Sequence, residues 1–389
     1  MEVSMQNFEF YNPTKIVFGK DKINELDHLI PKESKVLILY GGGSVKKYGT
    51  LNKVIKALGS RTYLEFGGIE PNPKYETLMK AVEIVRHEKI DFLLAVGGGS
   101  VIDGTKFINL AASFEGDAEE LLIYIDAVDS ITKALPIGTV LTLPATGSEM
   151  NRGAVISYKD GKYPVFSDVS FPQFSILDPT LTYSLPRTQV GNGLVDAFIH
   201  TVEQYVTYPS EANIQDRTAE GILQTLIEIG PKTLENPTDY ETRANFVWSA
   251  TMALNGLIGS GVPQDWTTHA IGHELTALYG IDHGKTLAIL QPSIWTIRKK
   301  QKWDKLLQYA DRVWHIKEDD EEATIDLAIE KTREFFESLG IKTKLSDYNL
   351  TEIHIEEILT NLEKHGQIAL SETGDLTLED SRRILENAL

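Results

Sequence analysis

The chain has 389 residues, 42% of them hydrophobic and 24% charged, an ordinary globular balance with length enough for two domains and sizeable cores. A formal net charge of −18 argues against nucleic acid and anionic membrane as partners, because both need a basic footprint. The absence of cysteine excludes disulfides, thiolate metal sites and cysteine nucleophiles. The first residues lack a basic segment followed by an apolar one, and no apolar run is long enough to span a bilayer, so a cytoplasmic protein is expected.

In chain order, Lys35–Tyr40 reads as a buried strand running into Gly41-Gly-Gly-Ser44, and the pattern over residues 45–58 predicts a helix. Thr62–Phe66 is the next strand. Residues 73–87 predict a helix with Leu78, Ala81, Val82 and Val85 facing inward. Residues 91–96 make another buried strand, which leads into Gly97-Gly-Gly-Ser100 and a helix over 101–112. Further strands are expected at 136–143 and Phe174–Leu177, with a hairpin between them at 155–165 that turns at Asp160-Gly161. This alternation argues a Rossmann-like α/β domain with a mainly parallel sheet. Beyond Ser184-Leu-Pro-Arg187 strand signals stop and amphipathic helices run almost to Leu389. The boundary is therefore placed near Pro186, with an α/β dinucleotide-binding domain over 1–186 and an all-α metal-binding domain over 187–389. The basic run Arg298-Lys-Lys-Gln-Lys302 reads as a solvated helix end, and the acidic stretch 318–322 as a solvated loop.

The glycine loops carry the first chemical signal. A strand, a Gly-Gly-Gly-Ser turn and a helix place exposed N–H groups where the helix dipole favours an anion, and glycine permits close approach. At Gly97 to Ser100 the natural ligand is a pyrophosphate, although the spacing is not the usual Gly-x-Gly-x-x-Gly. At Gly41, Gly42, Gly43 and Ser44 the loop holds no carboxylate of the kind that binds a ribose 2′-hydroxyl, and Lys46 and Lys47 follow. That pattern suits a 2′-phosphate and points to NADP(H). A third polar stretch, Thr142-Leu-Pro-Ala-Thr-Gly-Ser148, follows a strand and belongs to the same sheet edge.

The second signal lies in the helical half. Asp196 and His200 stand four apart in an apolar helical pattern, so their side chains share one face. His269 falls on a helix predicted from Pro263 to Tyr279 with Gly280 as its cap, and His283 in the short loop 280–284. One Asp and three His suit Zn²⁺ or Fe²⁺ and do not suit Ca²⁺.

Taken in order, these pieces resemble the iron-type, or group III, metal-dependent alcohol dehydrogenases. The resemblance begins with Asn12-Pro-Thr-Lys-Ile-Val-Phe-Gly19 and runs through Gly97–Ser100 with Asp103 and Lys106, then Thr142 to Ser148 and Leu177-Asp-Pro179. It continues through Asp196 to His200, His269-Ala-Ile-Gly-His273 and Asp282-His-Gly284. Within the family the chain is most similar to NADPH-dependent aldehyde reductases and butanol dehydrogenases, on residues 40–47, 66–73 and 261–266. The resemblance implies metal ligands at Asp196, His200, His269 and His283. It implies cofactor contacts at Gly41–Ser44, Asn72, Gly98, Gly99, Ser100, Asp103, Thr142, Thr146, Asn151 and Lys162. It also implies a cleft between the two domains and a homodimer formed through N-terminal strands.

The implied chemistry is hydride transfer from C4 of NADPH to an aldehyde whose carbonyl is polarised by the metal. His273, one turn after His269, is a candidate either to relay the proton or to position groups. Leu254, Leu257, Ile258, Trp266 and Leu278 are candidates for an apolar pocket suited to short or medium aliphatic aldehydes. The rival readings are a dehydroquinate-synthase-like lyase using metal and NAD, a metal-dependent hydrolase, and a non-catalytic dinucleotide sensor. The lyase requires basic residues around the metal, the hydrolase has no use for the glycine loops, and the sensor has none for four converging ligands.

Overall fold

The computed structural model describes residues 4–389. The chain divides into two compact units, one of them Tyr11–Leu185 and the other Pro186–Leu389 together with residues 4–10. The short N-terminal segment is tied to the helical unit by the Gln6 N–H, which donates to the Gly261 carbonyl at 2.9 Å.

The first unit is built on strands β1 (Lys15–Phe18), β2 (Lys35–Tyr40), β3 (Thr62–Phe66), β4 (Phe92–Gly98), β5 (Ile137–Leu143), β6 (Gly153–Tyr158), β7 (Gly161–Phe166) and β8 (Phe174–Leu177). Six of them form one sheet in the order β1-β8-β5-β4-β2-β3, and every pairing in it is parallel. The parallel arrangement explains the continuous apolar runs of β2 and β4, since helices cover such a sheet on both faces. β6 and β7 make a separate antiparallel hairpin. The Tyr75–His87 helix buries Leu78, Ala81, Val82 and Val85, as its pattern predicts.

Several local features differ from the sequence expectation. The expected helix over 45–58 is two helices, Ser44–Lys47 and Thr50–Leu58, because Gly49 takes φ 78° between them. β4 does not stop at Val96. It stays paired with β5 through Gly97 and Gly98, where the register shifts. β1, not read as a strand from the sequence, occupies one edge of the sheet.

The helical unit centres on the Arg187–Tyr205 helix, which is buried at nearly every position from Val190 onward. A helix buried on nearly every face must be enclosed by others. Phe198 meets Phe335 and Phe336, each at 5.4 Å between ring centroids. The helix expected from Pro263 begins at Thr267, where Asp265 Oδ1 accepts from the Thr267 N–H at 3.0 Å. Gly280 closes it in the left-handed conformation at φ 65°. His283 is not in a loop but opens the His283–Ile297 helix, whose first turn is closed by the Asp282 carbonyl accepting from Lys285 and Thr286. The basic run is a solvated end only in its middle, at Lys300 and Gln301. Arg298 and Lys302 are 4% and 1% exposed, and Lys302 Nζ is held by Asp265 at 2.9 Å and Glu372 at 2.8 Å.

Gly284 sets the approach of the His283–Ile297 helix to the Arg187–Tyr205 helix. A Cβ there would lie 2.6 Å from the Asn192 carbonyl oxygen and 2.8 Å from its Cα, and a backbone neighbour cannot swing aside. Gly284→Ala is therefore expected to lower unfolding free energy by about 1–3 kcal/mol, the usual range for an overpacked contact. Denaturant titration of the variant against the parent measures it.

Candidate metal centre and cofactor edge

Asp196 and His200 project from one face of the central helix, with side chains 4% and 6% exposed. Asp196 Oδ1 lies 3.4 Å from His200 Nε2, 3.7 Å from His269 Nε2 and 3.6 Å from His283 Nε2. These separations are too long for ordinary N–H···O hydrogen bonds of about 2.7–3.2 Å. They match a different arrangement, because ligands ~2.1 Å from a common tetrahedral centre stand about 3.4 Å from one another. Among the described residues, neither Asp196 Oδ1 nor His269 Nε2 has a hydrogen-bond partner, although both atoms are buried. A carboxylate oxygen and imidazole nitrogens of this kind, turned toward one another, fit a divalent cation.

The electrostatics agree with that fit. Burial alone raises a carboxyl pKa, yet the surrounding His200, His269 and His283 rings hold Asp196 well below the usual carboxylate range. Burial likewise opposes charge on His269, but Glu203 and Asp196 outweigh it and raise the ring to about 9. Both shifts run in the direction of a site that favours positive charge.

Glu203 is the part of this centre that sequence reading missed. Its carboxylate is 2% exposed and accepts the His269 Nδ1 proton, and its Oε1 also accepts from the Thr268 and His269 N–H groups at 2.9 and 3.3 Å. Burial pushes the Glu203 carboxyl up, against the pull of His269. The signal was present, since an acid stands three residues after His200 in the same apolar stripe. His273 joins the group, its ring centroid 5.4 Å from His283 and 6.1 Å from His269. Trp266 approaches His269 edge-on at 5.4 Å, and its Nε1 donates to Gln264 Oε1. Leu278, named as a pocket candidate, packs instead with Ile271, Leu275 and the core of the last helices.

In the α/β unit the carboxyl ends of the parallel strands share one edge. β2 connects outward to β3, whereas β4, on the other side of β2, leads away to β5 and β8. The switch point therefore lies between the ends of β2 and β4, where open α/β sheets take their ligands. Gly41–Ser44 follows β2 there, and Gly98 ends β4 with Gly99 and Ser100 opening the helix after it. A Cβ at Gly99 would lie 2.4 Å from Thr146 Oγ1, and one at Gly98 would lie 2.9 Å from Leu143 Cβ, so side chains are excluded and backbone remains. Gly42 and Gly43 have no atom within 4 Å of a Cβ position, with Gly43 at φ 106°.

The remaining expected contacts fall into two sets. Asn72, in the left-handed region at φ 59°, donates from its backbone to Ser100 Oγ at 3.3 Å and accepts from Lys162 Nζ at 2.6 Å. Asp103 accepts from Ser148 Oγ at 2.6 Å and from the Val155 N–H at 2.9 Å. Lys106, fully buried, donates to Ser148 Oγ, Asn151 Oδ1 and the Gly153 carbonyl, while burial lowers its ammonium pKa to about 8. Asn151 also bonds Thr146 through its amide. Asp103, Lys106 and Asn151 thus lock the 146–153 loop and the hairpin that carries Lys162. Thr142 stands half-buried near the end of β5. At the end of β3, Glu65 accepts from Tyr40 Oη at 3.0 Å and pairs with Lys46 at 3.5 Å, a carboxylate that the sequence reading of this edge did not count.

Comparison with known proteins places these features in a family. The model of iron-containing alcohol dehydrogenases matches residues 13–179, and that of the family's C-terminal region matches residues 191–389. The chain is 57% identical over 386 residues to the NADPH-dependent aldehyde reductase YqhD of Escherichia coli, covering 99% of this chain and 100% of that one. The crystal structure of the substrate- and cofactor-free form of that reductase superposes with a TM-score of 0.94 at 55% identity, over 99% of this chain and 100% of the other. The structure of NADH-dependent butanol dehydrogenase A from Thermotoga maritima gives 0.92 at 37% identity, over 99% of each chain. A dehydroquinate-synthase-like lyase is not favoured by these matches. The chain belongs to the iron-containing alcohol dehydrogenase family.

Proposed function

We propose that this protein is a metal-dependent aldehyde reductase that uses NADP(H) and interconverts short- or medium-chain aldehydes and their alcohols. The observation that carries the reading is the ring of three imidazole nitrogens around Asp196 Oδ1 at 3.4–3.7 Å. Asp196, His200, His269 and His283 are the proposed ligands, and Fe²⁺ and Zn²⁺ both suit them. A cation held there supplies Lewis-acid polarisation of the aldehyde carbonyl, and NADPH supplies the hydride. Trp266 gives an apolar wall beside His200 and His269, fitted to an aliphatic chain. His273 stands among the ligand rings and is the proposed proton carrier to the product alkoxide. Nothing in this reading places the protein in a membrane, and no described helix is long and apolar enough to cross one. A cytoplasmic homodimer belongs to the same reading, with β1 available at a sheet edge.

The proposed dinucleotide contacts are Gly41, Gly42, Gly43, Ser44, Asn72, Gly98, Gly99, Ser100, Asp103, Thr142, Thr146, Asn151 and Lys162. The open positions at Gly42 and Gly43, with Ser44, Lys46 and Lys47 beside them, favour a 2′-phosphate. Glu65 favours the second reading, NADH, because it neutralises Lys46. Relatives named as NADH-dependent butanol dehydrogenases, 38–41% identical, make this a real alternative.

NADPH oxidation with a panel of aldehydes, on metal-stripped and on Fe²⁺- or Zn²⁺-reloaded protein, tests the whole reading. Turnover independent of metal would refute it. His269→Ala or His283→Ala is expected to lose most bound metal and all turnover while still binding NADPH. Elemental analysis with cofactor fluorescence reads both. His273→Ala is expected to keep its metal but lower kcat by about 10²-fold or more and change the pH profile, as loss of a general acid does. An unchanged profile would leave His273 a positioning residue.

Cofactor choice is best tested at Gly42, because an Asp at Gly43 would strain a backbone at φ 106°. Gly42→Asp is expected to cost about 2–3 kcal/mol in NADPH binding, roughly thirty- to a hundred-and-fifty-fold, and far less for NADH. The dissociation constants of both cofactors for both proteins decide it, and a parent preference for NADH would refute the NADP(H) assignment.

A further inference from the structure

We infer that Glu203 is the positioning residue of the metal centre, fixing which nitrogen of His269 faces the ion and balancing part of the ion's charge. The inference rests on Asp196, His200, His269 and His283 being the ligands.

Glu203 grips His269 twice. One oxygen accepts from the backbone N–H groups of Thr268 and His269, and the other accepts from Nδ1 of the His269 ring. An imidazole whose Nδ1 keeps its proton presents the lone pair of Nε2, and His269 Nε2 is the atom that lies 3.7 Å from Asp196 Oδ1. The same carboxylate therefore sets the start of the Thr267–Tyr279 helix, the tilt of the ring and its tautomer.

Charge points the same way. Three buried acids crowd this region, Asp196, Glu203 and Asp265. Asp265 has its own cation, Lys302, at 2.9 Å. Asp196 and Glu203 face imidazoles, and Glu203 faces backbone N–H groups as well. A divalent ion among the Nε2 atoms neutralises both carboxylates, so Glu203 contributes to metal affinity without touching the metal.

Glu203→Gln tests this, since the amide keeps the volume but removes the charge and one acceptor. Competition against a chromophoric chelator gives the Zn²⁺ and Co²⁺ dissociation constants, and the visible spectrum of the Co²⁺ form reports ligand geometry. The expected result is metal binding weaker by about 10- to 100-fold, as for other partners of ligating histidines, with an altered Co²⁺ spectrum. Unchanged affinity and spectrum would overturn the proposal. A measurement on the parent protein covers a variant that does not fold. In the Zn²⁺-loaded form, nitrogen-edited NMR of labelled histidine is expected to show His269 with a far-downfield Nδ1 proton, and metal coordination at Nδ1 would overturn the proposal. A parent protein that takes up no metal would refute the ligand assignment itself, a failure distinct from an unaltered Glu203→Gln.

Discussion

The helical unit is organised by the cost of burying one carboxylate. Asp196 is 3% exposed in a helix that is buried on nearly all faces, and such a group is expensive to take out of water unless charge or hydrogen bonds compensate it. Its own helix returns only His200. The rest of the compensation comes from the Thr267–Tyr279 and His283–Ile297 helices, so their placement is part of the same electrostatic problem. Gly284 allows one of them close enough, and Glu203 with Asp265 ties down the start of the other. A site of this kind is a joint product of three helices and could not survive the loss of any one.

The α/β unit meets a different constraint, that of close backbone packing at the ends of its central strands. The glycines at 97–99 are demanded by contact with Val101, Leu143 and Thr146, which lie where a Cβ would stand at the start of the Gly99–Ser113 helix. Rigidity comes from polar locks behind the loops. Asp103 and Lys106 hold the 146–153 loop and the hairpin, and the hairpin in turn carries Lys162 to Asn72.

Much of this was legible in residue order. Buried parallel strands show as largely apolar runs, which is why Lys35–Tyr40 and Phe174–Leu177 were read with the bounds that the structure has, as was the more exposed edge strand Thr62–Phe66. The family resemblance supplied what spacing alone does not, the convergence of Asp196 with histidines more than seventy residues further on. What was misread depends on tertiary partners. Lys302 looks solvated until Asp265 and Glu372 are brought to it, and Gly284 looks like a loop residue until Asn192 packs against it. Glu203 was overlooked because an acid in an apolar stripe signals a buried partner without saying that the partner is His269, 66 residues further on. Glu65 was overlooked because the sheet, and not the chain, makes it a neighbour of Lys46.

Residues 4–10 belong with the helices, while residues 11–185 form the other unit. The α/β unit is thus an uninterrupted insertion in a helical unit whose pieces lie on both sides of it. As the chain leaves the ribosome, the sheet has every strand it needs once Leu177 has emerged. The partners shown for residues 4–10 come later, since the Gly261 carbonyl to which Gln6 donates and the Gln215 amide that meets Met5 Sδ are made well after Leu177. Residues 4–10 therefore reach their place only after residues far beyond the sheet have been made, whereas the sheet that follows them in sequence can form before they do.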